Sequence, residues 1–176
     1  MDAKVTTNRC GSPRSFGIMG AAFLLFVVAL LTHCLANPPP AIRAHGQAQT
    51  IEMADNFHPT TFPEQGWQIV APKPFGATIA TWSIQPFQNT KDPSQWIDAQ
   101  LNLRILDHGQ AGSWHLLVSQ DRTDFHHGRT SAVVAAGSSG GNGEGGITVS
   151  FLGQEQPYAA DGVYEATVVG TITEAF

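Results

Sequence analysis

The densest grouping of side chains able to move protons or bind a metal is His126-His127 beside Asp121 and Asp124. Imidazole nitrogens and carboxylate oxygens are zinc ligands, but a site needs three or four of them converging on one point. Neighbours on a strand face opposite sides, so His126 and His127 chelate together only from a loop. No second His or Cys group at ligand spacing accompanies them, and the sequence predicts a structural or solvated role with no metal. Asp55, Asn56, Asp121, Asp124, Asn142 and Glu144 offer oxygen ligands of the kind calcium takes, without the Asp-x-Asp-x-Asp-Gly loop that would gather them. Nothing fixes a carboxylate pair for glycoside hydrolysis. No Gly-x-Ser-x-Gly elbow, His-Glu-x-x-His helix or phosphate-binding loop occurs. The Gly-rich run 137–146 lacks a Gly-Lys-Ser/Thr ending and reads as a flexible hairpin connection. The expectation is a non-catalytic protein that needs no cofactor.

Aromatic side chains offer recognition instead of catalysis. Trp67, Trp82 and Trp96 fall near turns or strand ends, where a ring can stack on a sugar or on a side chain of another protein. These three are the candidate binding residues. The competing expectation is that they plug the ends of a packed core.

The 176 residues allow one domain of ordinary size behind an N-terminal segment. Apolar residues are 42% of the chain and charged residues 13%, the latter roughly half the usual share. Lys4, Arg9, Arg14 and Asp2 precede residue 37, so residues 37–176 keep six basic and thirteen acidic groups, a net of −7. That balance argues against nucleic acid or anionic lipid as partner. Both cysteines, Cys10 and Cys34, lie before residue 37, which leaves the remainder without disulfides, Cys-bound zinc or thiol nucleophile.

Basic residues followed by the apolar run Phe16–Leu31 and the small residues around Cys34-Leu35-Ala36 match a secretory signal, residues 1–36. Sixteen apolar residues fall short of the ~20 that cross a bilayer, though extension to Ala36 keeps an uncleaved anchor open. Membrane contact is expected only through residues 16–36. Asn37-Pro38-Pro39-Pro40 favours polyproline II, and residues 37–47 read as a Pro-rich spacer.

From Ala48 onward the pattern is short strands between turns. Ala48–Met53 is a weak strand, Gly66–Val70 alternates briefly, and Gly76–Ile84 is β-rich with an ambiguous apolar face. Ala99, Leu101, Leu103 and Ile105 share one face of a half-buried strand whose polar face carries Asp98, Gln100, Asn102 and Arg104. The short loop 107–112 predicts a hairpin with the next strand, on which Trp114, Leu116 and Val118 point inward, in the middle of a sheet. Ser131–Ala136, Ile147–Phe151 and Tyr164–Ile172 complete the set, with Trp114 and Tyr164 in the core. Together these predict an all-β fold, an antiparallel β-sandwich of Ig-like or Greek-key type over residues 48–176, with a barrel as the alternative.

Residues 101–119, an apolar strand reaching Asp107 and Gly109 and leading into Trp114-His115-Leu116 and Val118-Ser119, resemble the first signature of WxL-domain surface proteins. Phe125 and Ala132-Val133-Val134 follow where that family has similar elements. The closing segment from Gly162-Val163-Tyr164 is similar too, except that Gly170-Thr171-Ile172 stands where a second Trp-x-Leu belongs. The resemblance spans residues 96–176, with Trp114, Leu116 and Tyr164 as its structural motif. It implies a secreted protein held non-covalently at a Gram-positive surface, through peptidoglycan or a surface protein. The alternative is a structural subunit or adhesin of an extracellular assembly, joined through a sheet edge.

Overall fold

The computed structural model describes residues 39–51, 59–71, 77–109, 114–153 and 160–174. Those residues form antiparallel sheets, with no α-helix among them. No helix among them is long and apolar enough to cross a membrane. The expectations for residues 1–36 lie outside the described residues.

The first sheet runs in the order β1 (Ala41–Ala44), β3 (Gln65–Val70), β11 (Gly143–Phe151), β7 (Ala99–Asp107), β9 (Gln120–Arg122), with β2 (Thr60–Thr61) also paired to β11. The second has the order β13 (Val168–Glu174), β4 (Thr78–Ile84), β10 (Ala132–Ser138), β8 (His115–Val118). A third, small sheet joins β12 (Tyr164–Glu165), β5 (Phe87–Asn89) and β6 (Trp96–Ile97). Alternation buries one face of β3, β4 and the first half of β7, while β10 and β11 are buried at most of their positions. Trp67 and Ile69 on β3 and Leu101 and Leu103 on β7 meet Ala80, Trp82 and Ile84 on β4 and Val134 on β10 in one core. Trp67 and Trp82 touch edge to face across that core, 6.4 Å between ring centroids.

Two glycines make room for tryptophan. A Cβ at Gly143 would stand 2.5 Å from Trp114 Cδ1, and one at Gly170 would stand 2.8 Å from Trp67 Cζ3. Both glycines lie in strands, where their missing side chains admit a large neighbour. The Gly-rich run is therefore not a flexible loop. It is the end of β10, a short turn and the start of β11, paired through Gly143, Gly145 and Gly146.

Other expectations change for equally local reasons. The folded part begins inside the supposed spacer, because β1 pairs with β3 and Ile42 is buried. Residues 48–51 form no strand, and Glu52 and Met53 lie outside the described residues. The Trp114 segment is not mid-sheet: Trp114 is buried just before β8, and β8 is the outermost strand of its sheet. Leu116 pairs opposite Ala136 and Val118 opposite Ala135, so two residues of β8 advance for one of β10. That bulge breaks the alternation, and Leu116, Leu117 and Val118 are all exposed. Nor do β7 and β8 form a hairpin. The chain enters the second sheet at β8, crosses at Ser119, and pairs with β7 only through β9. Leu103 N–H donates to Ser119 O at 2.7 Å where the crossing occurs.

The β7 and β11 patterns hold, whereas the single closing strand expected over Tyr164–Ile172 divides into β12 and β13, which lie in different sheets. Ala99, Leu101 and Leu103 are buried with Ile105 packed against them, and Ile147, Val149 and Phe151 are buried. Asp98 is the exception. Assigned to the polar face, it is 3% exposed, and Oδ1 accepts from Thr123 Oγ1 at 2.7 Å and Phe125 N at 2.9 Å.

Candidate functional site

The small third sheet builds the clearest recognition surface among the described residues. Its tight β5–β6 connection follows from the sequence Asn89-Thr90-Lys91-Asp92-Pro93-Ser94. Asn89 Oδ1 accepts from the backbone N–H of Lys91 and Asp92, at 2.9 and 3.1 Å. Asp92 Oδ1 accepts from both the N–H and the hydroxyl of Ser94. Short carboxylate and amide side chains turn the chain by such bonds to backbone two or three residues on. The Ser94 hydroxyl, then the Ser94 N–H, holds the Asp92 carboxyl below its ordinary value.

The turn sets Trp96 opposite Gln88, and β12 sets Glu165 opposite Gln88 on the other side. Residues directly opposite in neighbouring strands project from the same face. Glu165, Gln88 and Trp96 thus make one row across the sheet, a carboxylate, an amide and an indole at steps of about 4.8 Å. All three line a groove of about 450 Å³, together with Ser83, Gln85, Ser131 and Thr167.

Trp96 is half-buried and stacks on Phe125, with ring centroids 5.3 Å apart and planes 19° apart. Phe125 opens a 3-10 helix, Phe125–His127, and its backbone N–H is the one held by buried Asp98. Asp98 is also tied to Thr123, whose hydroxyl oxygen accepts from Ala99 N at 2.9 Å. A buried polar network therefore positions the ring beneath the groove's indole.

The arrangement offers contacts that can hold a ligand. An indole offers an apolar plane, and amide, hydroxyl and carboxylate groups beside it can match a hydroxyl-rich ligand. Hydrolysis by the two-carboxylate route needs a second acid several ångströms from the first, and Glu165 is the sole carboxylate among the described residues of this groove.

Of the three candidate tryptophans, only Trp96 faces a groove. Trp67 and Trp82 are 1% and 0% exposed and present no ring face to a ligand. Their size fills the space between the two larger sheets, which is why a tryptophan near a strand end need not be a binding residue. Trp114 is likewise buried, with Nε1 donating to Gly141 O at 2.9 Å. Leu116 is 43% exposed, so it does not share the core with Trp114. Tyr164 is half-buried, edge-on to Phe151 at 5.8 Å, with its hydroxyl donating to Ala160 O. Sequence reading missed Gln88, Phe125, Asp98 and Glu165. Gln88 was within reach, since it precedes the turn that brings back Trp96; Glu165 depends on pairing with a strand far along the chain.

The His126-His127 region is used structurally. Asp124 caps the 3-10 helix and accepts from His127 Nδ1 at 2.7 Å, while Asp121 binds Arg129 and accepts from Val133 N at 2.8 Å. No group of three metal-binding side chains converges among the described residues. The His127 side chain, foremost, holds the Asp124 carboxyl below its ordinary value. A carboxyl lowered by folding adds stability above its unfolded value, near 3.9, and loses that contribution as pH falls through the folded one. We expect Asp124 to titrate below the ordinary aspartate value in a carbon-13 carboxyl titration, and His127→Ala to move it upward. An unmoved value would show that the bond does not persist in solution.

Against known proteins, no family model matches this chain, and neither a curated protein nor a solved structure is significantly similar to it.

Proposed function

We propose that this protein is an exported, non-catalytic cell-surface domain that attaches non-covalently to the bacterial cell wall, with peptidoglycan as the ligand. In this reading the two larger sheets form a β-sandwich of Ig-like or Greek-key type, related to WxL-domain surface proteins over residues 96–176. The observation that carries it is the row Glu165–Gln88–Trp96, an aromatic plane flanked by hydrogen-bonding groups along an open groove. The apolar N-terminal run supports export, and the 13% share of charged residues supports a ligand met through hydroxyl and amide groups more than through charge.

The test is co-sedimentation of the purified protein with isolated Gram-positive peptidoglycan. Saturable pelleting is expected, with Trp96→Ala weakening apparent affinity about tenfold, as losing one ring contact of ~1.4 kcal/mol does. Pelleting no better than that of a control protein of equal charge would end the wall-binding reading.

A second reading has its own observation. β8 is the outermost strand of its sheet and exposes Leu116, Leu117 and Val118 together. Apolar edge strands are where another chain adds itself, so the protein would be a subunit or adhesin of an extracellular assembly. Light scattering separates the two, since an assembling subunit grows in mass with concentration and a wall-binding monomer does not.

A further inference from the structure

We propose that a second, larger cleft at the same end of the molecule binds an ammonium group carried on an apolar stem. This cleft, about 600 Å³, lies on the other side of Glu165 and Ala166, which line both cavities. Its volume is that of a small-molecule site.

Four aromatic rings run through its wall in unbroken succession. Phe62 stacks on Phe87 at 5.8 Å and 12°, Phe87 meets Phe151 edge-on at 5.1 Å, and Phe151 meets Tyr164 at 5.8 Å. Phe87 and Phe151 are 2% and 4% exposed and form the floor. Phe62 and Tyr164 are half-buried at the two ends of the chain of rings, where their surfaces meet the opening.

Charge selects the ligand. Asp161 is exposed at the rim, exposed Glu165 stands between this cleft and the Trp96 groove, and no Lys, Arg or His is among the described lining residues. Residues 37–176 carry a net of −7, so the wider field also draws cations toward the cleft. An aromatic face attracts a cation within about 6 Å of its centroid, and carboxylates nearby add the counter-charge. A neutral ligand gains at most a hydrogen bond from either carboxylate, without the attraction between opposite charges. An anion meets repulsion from both.

The rim is preformed. Thr90 N–H donates to Val163 O at 2.9 Å and Tyr164 Oη to Ala160 O at 2.8 Å, which pins the 160–164 wall to the β5 turn and to itself. Val163 stands 58% exposed on that wall, an apolar surface that a hydrocarbon stem can cover.

The experiment is a proton NMR titration of the purified protein with phenethylammonium chloride, and in parallel with its neutral counterpart 2-phenylethanol. The ammonium compound is expected to bind about tenfold more tightly at low salt, shifting the ring protons of Phe62 and Tyr164. Asp161→Asn with Glu165→Gln keeps shape and removes charge, and should erase that preference. Equal affinity for the two probes, or no shift in those rings at millimolar probe, would overturn the proposal. Asp161→Asn alone separates this site from the Trp96 groove: ammonium binding should fall while peptidoglycan pelleting, which does not involve Asp161, stays unchanged. A loss of pelleting in that variant would mean the two cavities are not separate sites.

Discussion

Replacing Trp114 by alanine should lower the free energy of unfolding by about 3–5 kcal/mol, the range for emptying a buried aromatic position. In a domain of this size that is a fall of roughly 10 °C or more in Tm. The ring is 1% exposed, its Nε1 donates to Gly141 O, and the absent Cβ of Gly143 is what lets it seat. Urea unfolding followed by fluorescence measures the change. Phenylalanine at the same place gives a finer result. Trp114→Phe keeps most of the apolar contact and loses one hydrogen bond, about 1 kcal/mol, plus the smaller ring's lost volume. Trp82 is the control, because its buried Nε1 has no hydrogen-bond acceptor among the described residues. Trp82→Phe removes a donor that is costly to bury unpaired, so it should cost no more than Trp114→Phe. The reverse order would mean that the Trp114–Gly141 bond contributes little.

Asp98→Ala should destabilise the protein by about 3 kcal/mol, since it removes the acceptor of two hydrogen bonds and leaves a buried donor unpaired at a cost of roughly 1–3 kcal/mol. The substitution removes the acceptor from Thr123 and from the Phe125 backbone. The Thr123 hydroxyl has a second acceptor in Ala99 O, at 3.5 Å. The Phe125 N–H has no such substitute among the described residues, and its orphaning should account for most of the cost. Asp98→Asn retains an acceptor oxygen and should cost about 1 kcal/mol. The effect reaches the groove, because Phe125 is the ring on which Trp96 stacks. Asp98→Ala should therefore change the near-ultraviolet circular dichroism of the tryptophans well below the unfolding transition, whereas Asp98→Asn should not. Unchanged stability in the alanine variant would show that the network is replaced by water.

The sequence was most readable where local periodicity and burial agree. The β7 face of Ala99, Leu101 and Leu103, the β11 face of Ile147, Val149 and Phe151, and the antiparallel all-β class follow from alternation alone. It was least readable where a distant residue decides. Alternation through Trp114, Leu116 and Val118 is genuine in the sequence, yet a bulge opposite Ala135 and Ala136 cancels it. Gly143 looks like linker until the Trp114 indole that needs its space is in place. Asp98 looks solvated because its acceptor role depends on Thr123 and Phe125, some 25 residues later. For the groove, Trp96 was singled out in the sequence and Gln88 lay nearby. Glu165 could not be added, because nothing local to β12 reveals its pairing with β5.

The central strand of the second sheet has a consequence for the timing of folding. β4 is flanked by β10 on one side and by β13 on the other, with Ile84 opposite Val168 and Thr78 opposite Glu174. One whole flank of β4 thus waits for residues at the far end of the chain. Closing so long a loop is slow, and its entropy is lost before the pairing returns anything. During synthesis the early strands hold exposed apolar faces and unpaired edges until β13 has emerged. Such a chain completes this sheet only once β13 has paired with β4.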